Sequence, residues 1–458
     1  MSIIDNIRDR IVSFLWPNQE DDAYRERVEY IVDRREYRLG KQKHFIKVRP
    51  NQQDDNMIMN FITLIVDRTV SMLFGKGVEF DYGEDEAAQA KIDETWEDNK
   101  KNIILHREGM YGAEAGMCFM KIVPQEGENH RLVDLDPLLM DIKTEPDDWQ
   151  TVIEYIIQWR SMEYNERTQR DEEVSKKEVT SLDEDGEFWT ITKYEQSRET
   201  SNKWVQVGDV VKWDYPFAPI VHWQNLTNVG SPWGLPDITD NVIVLQDRLN
   251  FVASNISKVI RYYAHPQRWG RQLGEALKSS MGPDDLINLG SSPDAMIDQL
   301  DALGDMTAAM TFLNTLRQSV MDITRTVDVS SLDDKLGAIT NFGLRVLYQD
   351  ALQKLATKRE LYGEALEEIN RRMLELYGIE PAEVTVVWPD PLPDNEKEET
   401  EYIASDMGLG LLSKQTASER RGYVWEDELQ RIEEEKISDQ ANSNNIGDII
   451  MKNFDKGV

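Results

Sequence analysis

Cysteine is nearly absent: the chain of 458 residues carries one, Cys118. A single thiol excludes internal disulfides and cysteine-built zinc sites. It lies in the apolar run Gly116-Met117-Cys118-Phe119-Met120, where a buried thiol is expected instead of a reactive one. Histidine is scarce too. The five at 44, 106, 130, 222 and 265 have no metal-ligand spacing, and HExxH is missing. Gly40-Lys41 is followed by Gln42, and Gly75-Lys76 by Gly77, so no Walker A loop is completed. No GxGxxG follows a strand, and there is no GxSxG elbow.

Bases are in short supply, 52 against 85 acids, for a net charge of −33. Fixed charge of that size favours solubility and resists compaction. It argues against a broad grip on nucleic acid, which comes from Lys and Arg neutralising phosphates. Two readings stand: an acidic intracellular protein of a salty or hot habitat, or a surface made not to adhere to DNA. Long apolar runs are missing as well. The best stretch, Met57 to Phe74, contains Asp67 and Arg68 and falls short of a membrane span. Asp5, Arg8, Asp9 and Arg10 interrupt the N-terminal apolar residues, so no signal peptide is read. A soluble, cytoplasmic chain with no membrane contact is expected. The pairs Asp54-Asp55, Asp284-Asp285 and Asp333-Asp334 have the chemistry of a Mg²⁺ nuclease site, yet such pairs arise by chance among 85 acids. With no repeat and no catalytic constellation, the chain leans towards a structural or interaction role.

What is there is ordinary globular material, 40% apolar, in a length that allows two to four units. Residues 1–16 read as a short amphipathic helix stopped by Pro17, and 22–41 as a charged helix ending near Gly40. Asn56 to Phe74 reads as a buried helix with Ile58, Phe61, Ile62, Ile65, Val66, Val70 and Leu73 on its apolar face, followed by a strand at Val78 to Phe80. The acidic stretch 81–100 reads as a solvated loop and helix face, Ile103 to Ala115 as a helix, and Met117 to Val123 as a strand. From Leu132 to Trp223 the pattern is β. Strands are expected at Val152 to Trp159 and Phe188 to Tyr194, and a hairpin across Gly208-Asp209. The charged stretch 165–187 between the first two reads as a hairpin tip or loop. Six tryptophans (149, 159, 189, 204, 213, 223) fall here; without interleaved bases, they suit the core of a small antiparallel unit better than base stacking.

The breaker cluster Gly230 to Pro236 marks a boundary. Helices follow at Asp237 to Tyr262 and Leu303 to Val327, bracketing a Gly/Pro-broken module with a short helix near Gly274 to Ser280 and a strand at Asp285 to Leu289. A loop spans Asp328 to Thr340. Asn341 to Tyr377 then runs helical without proline, with Gly363 as a candidate kink and Gly378 as C-cap. A strand at Val384 to Trp388 and helices at Glu396 to Met407, Ser413 to Gly422 and Val424 to Glu435 complete the pattern.

In this order the chain resembles the portal (head-to-tail connector) proteins of tailed bacteriophages. Five stretches carry the likeness. They are Glu36-Tyr37-Arg38-Leu39-Gly40-Lys41-Gln42; Asn60 through Gly75-Lys76-Gly77-Val78; Tyr111 to Val123; Thr340-Asn341-Phe342-Gly343-Leu344 at the head of the long helix; and Gly408 to Thr416 with Glu426 to Glu435. Phe342 departs from the small residue the family has there, and 165–187 has no counterpart. The resemblance implies an α+β, mainly helical ring subunit with wing, stem, clip and crown regions. The wing would be 1–235 (helices plus an antiparallel β unit) with the long helix 341–378. Stem helices would be 236–262 and 303–327, the clip 263–302, the tunnel loop 328–340, the crown 379–436, and a flexible tail 437–458.

The resemblance further implies a homo-oligomeric ring, usually of twelve subunits, at one capsid vertex. Viral DNA would be packaged and ejected through it. Its partners would be the terminase large subunit, a head-completion or adaptor protein, the major capsid and scaffolding proteins, and double-stranded DNA passing non-specifically. No enzyme activity, cofactor or metal is expected. In such a ring the apolar stripes of the stem helices would be covered by neighbouring copies, and acids towards the bore would repel phosphates. Candidate residues are Ser330, Asp333, Asp334 and Lys335 in the tunnel loop, Lys258 and Arg261 on the stem's channel face, and Arg268, Arg271, Asp284 and Asp285 for motor docking on the clip. Two other classes stay open: an oligomeric intracellular scaffold or adaptor without DNA in its bore, and a Mg²⁺-dependent nuclease.

Overall fold

Glycine in the left-handed region ends the first helix: Asp22–Arg38 (α1) stops before Gly40, at φ +78, where an L side chain would be strained. The computed structural model describes residues 22–46, 54–183, 186–197, 203–264, 268–271, 294, 296–299, 306–328, 341–380, 383–392, 396–432 and 434. The readings for residues 1–16, 274–280 and 285–289 lie outside them. Two compact units divide the chain, one of Met1–Leu336 with Val346–Pro391, the other of Gly337–Arg345 with Leu392–Val458.

The first unit is built on helix and sheet together. Phe61–Phe74 (α2) starts where the Asn60 side chain accepts the Thr63 amide at 3.2 Å, an N-cap. Its buried face is Ile62, Ile65, Val66, Val70, Leu73 and Phe74, close to the predicted stripe. Glu79–Asp81 (β1), Glu86–Asp98 (α3) and Lys101–Ala115 (α4) follow. Met117–Val123 (β2) is the predicted strand to the residue. It is the middle of a three-stranded antiparallel sheet, between Arg131–Asp134 (β3) and Ile220–Gln224 (β10, after the strands below).

The second sheet departs from expectation. Met140–Glu145 (β4), Asp148–Asn165 (β5), Arg170–Leu182 (β6) and Trp189–Gln196 (β7) pair antiparallel in that order. The charged segment expected as a hairpin tip or loop is a hairpin tip only at 166–169 and is mostly strand beyond it: β6 pairs with β5 from Glu154↔Ser181 to Asn165↔Arg170. Its charges are accommodated by pairing across strands: Arg160 with Glu173 at 3.0 Å, Lys176 with Glu163 and with Glu195. The expected hairpin at Gly208-Asp209 is also corrected. Val205–Gln206 (β8) and Val211–Trp213 (β9) do not pair with each other; both line β7, at Tyr194↔Gln206 and Trp189↔Trp213. The turn pair acts instead as a bulge in one edge strand, with Gly208 at φ +75. The tryptophans divide accordingly: Trp189 is buried in this sheet's core, Trp223 in the main helical core, and Trp149 is exposed.

Then come Asp240–Ala264 (α5), the strand pair Arg268–Arg271 (β11) and Met296–Gln299 (β12), Thr307–Thr324 (α6), Asn341–Leu347 (α7) and Gln349–Leu376 (α8). The long helix read over 341–377 breaks at Tyr348 (φ −91, ψ 4), while Gly363 stays inside unbroken helix with Trp388 Nε1 3.7 Å from where a β-carbon would sit. Thr385–Val387 (β13) returns to pair with β1. One continuous core joins α2, α3, α4, β2, the head of α5 and α8. In the second unit, Glu396–Gly408 (α9) and Lys414–Arg420 (α10) are helical, the latter N-capped by Ser413 onto Thr416.

Candidate assembly surface

Helices α5 and α6 pack side by side, and each buries only part of its apolar surface. On α5, Val242, Leu249, Ala253 and Ile256 are buried, while Val244 (66% exposed), Val259 and Ile260 (54%) are not. On α6, Leu316, Val320 and Met321 are buried, while Met310, Phe312 and Ile323 (52%) are not. Covering a side chain of that size is worth roughly 1.5–3 kcal/mol, so six of them on one helix pair are a strong incentive to associate.

A polar stripe fixes α5 to the rest of the unit. Gln246, Asn250 and Ser254 stand four residues apart and are all buried. They meet the segment 54–60, which has no regular secondary structure. Ser254 Oγ accepts the Met57 amide at 2.9 Å, Asn250 Oδ1 the Met59 amide at 3.0 Å, and Gln246 Oε1 the Phe61 amide at 3.3 Å. Gln246 Nε2 donates back to the Met59 carbonyl at 2.6 Å. Arg261 continues the series two turns on, 2.6 Å from Asp55. From the other side α1 pins the same helix: Arg34 donates to the Ile238 carbonyl at 2.7 Å and pairs with Asp240, and Tyr37 Oη donates to Asp247 at 2.7 Å.

At the head of α5 lies a buried ionic node. Asp237 takes Lys354 Nζ at 2.6 Å and Lys358 Nζ at 2.5 Å, and its amide donates to the Ala113 carbonyl at 3.0 Å. Burial by itself raises the Asp237 carboxyl; the two ammonium groups reverse this and hold it well below the usual carboxylate range. Burial lowers Lys358 despite that partner. Beside the node, Tyr362 Oη donates to Asn225 Oδ1 at 3.0 Å and lies 3.3 Å from Cys118 Sγ. Burial pushes that thiol well up, so it is inert, as the sequence suggests.

Of the residues named from sequence, Lys258 is half-buried on α5 and Arg261 is held by Asp55. Arg268 and Arg271 lie on β11, with Arg271 exposed. Ser330, Asp333, Asp334, Lys335, Asp284 and Asp285 are outside the described residues. Asp54 and Asp55 do not share a site: Asp54 accepts the Asn56 amide and Asp55 serves Arg261. Among the described residues no group of three or more His, Cys, Asp or Glu could hold a metal ion, and no helix is long and apolar enough to cross a membrane. The buried node and the polar stripe escaped the sequence reading. The stripe's only signal there is three polar residues at four-residue spacing in an apolar helix.

Uncovered apolar helix faces on a rigidly buttressed frame describe a structural subunit that packs against others. The chain belongs to the phage portal protein family, SPP1 Gp6-like, whose family model matches residues 18–442. As such it is a portal protein of the capsid vertex and a component of the virion. Two solved structures are similar. One is a chain in the neck of an empty GTA particle computed with C6 symmetry, 13% identical, with 79% of this chain and 88% of that chain covered and a TM-score of 0.45. The other is from the virion of a native gene transfer agent (GTA) particle, 12% identical, with the same coverage and a TM-score of 0.42. A comparison with curated proteins finds none that matches.

Proposed function

We propose that identical copies of this chain close into a ring around a channel that passes double-stranded DNA during packaging and ejection. The observation that carries this is the six exposed apolar side chains on α5 and α6: a lone molecule leaves them in water, and neighbours in a ring cover them. In this reading 236–262 and 303–327 are the stem, 263–302 the clip that docks terminase and then a head-completion protein, 328–340 the tunnel loop, 379–436 the crown, and 1–235 with 341–378 the wing that meets capsid and scaffolding proteins. The ring is a dodecamer, as the family resemblance implies.

Two features support a bore that does not grip DNA. The chain's net charge is −33, which repels phosphates. On α6 the hydroxyls of Thr311, Thr315 and Ser319 each donate to the carbonyl four residues back, at 2.8–3.0 Å, so an exposed row of polar residues has its protons already committed. Lys258 and Lys335 are the cations assigned to slow the duplex; Arg261, tied to Asp55, is assigned to holding the stem. Arg268, Arg271, Asp284 and Asp285 are assigned to motor docking.

Electron microscopy of the purified protein tests the ring: closed rings with a central hole are expected, and a compact lone particle at high concentration overturns the proposal. Lys335→Glu is expected to change DNA packaging or retention while rings still assemble. A ring whose bore is too narrow for a duplex would favour the scaffold reading instead.

A further inference from the structure

Lys358 by itself would balance the charge of Asp237. Lys358 is fully buried, contacts the carboxylate at 2.5 Å, and stands on α8 with Asn225 Nδ2 adding a contact at 3.4 Å. A second ammonium on the same acid leaves one positive charge in excess beside a buried pair, and largely buried charge is costly. Lys354 is there nonetheless, with its side chain 11% exposed. Its other contact supplies the reason. Lys354 Nζ donates to the Thr324 carbonyl at 3.2 Å. Thr324 is the last residue of α6, and its carbonyl is one of those a helix end cannot satisfy itself. A cation there also meets the negative end of the helix dipole.

We infer that Lys354 is a positioning residue: one ammonium group ties the head of α5, through Asp237, and the tail of α6, through Thr324, to the long helix α8, so that the near ends of the helix pair keep a fixed spacing.

Val320, Met321 and Thr324 are buried at the α6 tail, yet packing around them is incomplete. A half-open cavity of about 330 Å³ lies there, lined by Met72, Thr324, Val327, Tyr348 and Leu355 among others. Where side chains leave space, hydrogen bonds decide position. Two further tethers act beyond Thr324: Arg68 Nη1 donates to the Val327 carbonyl at 2.7 Å, and Arg317 pairs with Asp328. Both hold the chain after the helix, not the helix end.

The two lysines can be separated. Lys354→Met keeps the apolar stem and leaves Asp237 paired with Lys358 through Oδ2; Asp237 Oδ1 and the Thr324 carbonyl both lose the Lys354 ammonium. Lys358→Met keeps the Thr324 bond. The readout is hydrogen exchange by mass spectrometry on the assembled full chain, following residues 319–328, where the Arg325 and Thr326 amides close the helix onto Asp322 and Met321. Lys354→Met should speed exchange there about tenfold, the size expected for loss of one hydrogen bond to a charged donor, with the rest of α6 unchanged. Lys358→Met should leave 319–328 at wild-type rates. Unchanged exchange in Lys354→Met overturns the inference, and so does an equal increase in both variants, which is general loosening. Should Lys354→Met not fold, Lys354→Gln keeps a neutral donor for Thr324. Near-wild-type protection at 319–328 then supports the bridge, and tenfold faster exchange overturns it.

Discussion

Gly116 and Gly234 pack backbone against backbone: a β-carbon on Gly116 would lie 2.4 Å from the Gly234 carbonyl oxygen, and one on Gly234 2.3 Å from that of Gly116. Gly116 also sits at φ +80, so the α4–β2 corner and the connection into α5 meet where only glycine fits. Gly234→Ala is expected to destabilise the chain by at least about 2 kcal/mol through overpacking against backbone that cannot yield. Thermal unfolding checks this; a melting temperature equal to wild type would show that the corner relaxes.

His222 faces Tyr155, its Nδ1 2.8 Å from the phenol oxygen. Burial, with Arg372 adding to it, lowers this histidine from 6.5 to about 4. The folded chain therefore holds that proton less readily than the unfolded one. Stability should be full above about pH 6.5 and fall by up to about 3 kcal/mol as the pH drops towards 4. Denaturant unfolding across that window should show the slope in wild type and a flatter curve in His222→Gln.

Glu108 shifts in the opposite sense. Full burial pushes its carboxyl well above the usual range, and Asp134 pushes the same way. A raised carboxyl adds stability below its unfolded value, and that contribution is lost as the pH rises through the folded one. Glu108→Gln keeps the shape without the ionisation. It should unfold at a higher temperature than wild type at pH 8 and at a similar one near pH 4.5; a lower melting point at pH 8 would mean the carboxylate is charged and wanted there.

Phe312 and Ile323 lie exposed on α6. Under the ring proposal, Phe312→Asp or Ile323→Asp should shift the protein to smaller species in light scattering coupled to size exclusion, because each places a charge in a surface meant to be covered. Far-ultraviolet circular dichroism should stay the same. Unaltered rings in both variants would move the subunit contact elsewhere.

The elements that sequence reveals best are those whose signal is local. Met117–Val123 is flanked by Gly116 and by a run of apolar residues, and α2 carries its own apolar stripe and its Asn60 cap. Strand β6 hid because its buried positions, Val174, Glu178 and Thr180, are mostly polar and give no apolar alternation. The edge strands β8 and β9 hid because Gly208-Asp209 has the chemistry of a turn whether it closes a hairpin or bulges one strand. Asp237, Lys354 and Lys358 are far apart in sequence and drawn from abundant residue types, so only the fold brings them together. The family order was legible because the sequence of elements, each weak alone, runs nearly the length of the chain and the family match spans 18–442.

The bonding of residues 55–61 along α5 has a consequence for how the gene can change. Four helical residues advance about 6 Å, and the Met57, Met59 and Phe61 amides meet Ser254, Asn250 and Gln246 in turn, one for each such step. Adding a single codon anywhere between Met57 and Phe61 would turn the amide donors away and present the intervening ones. This stretch can therefore lengthen or shorten only by pairs, and the facing helix only by whole turns.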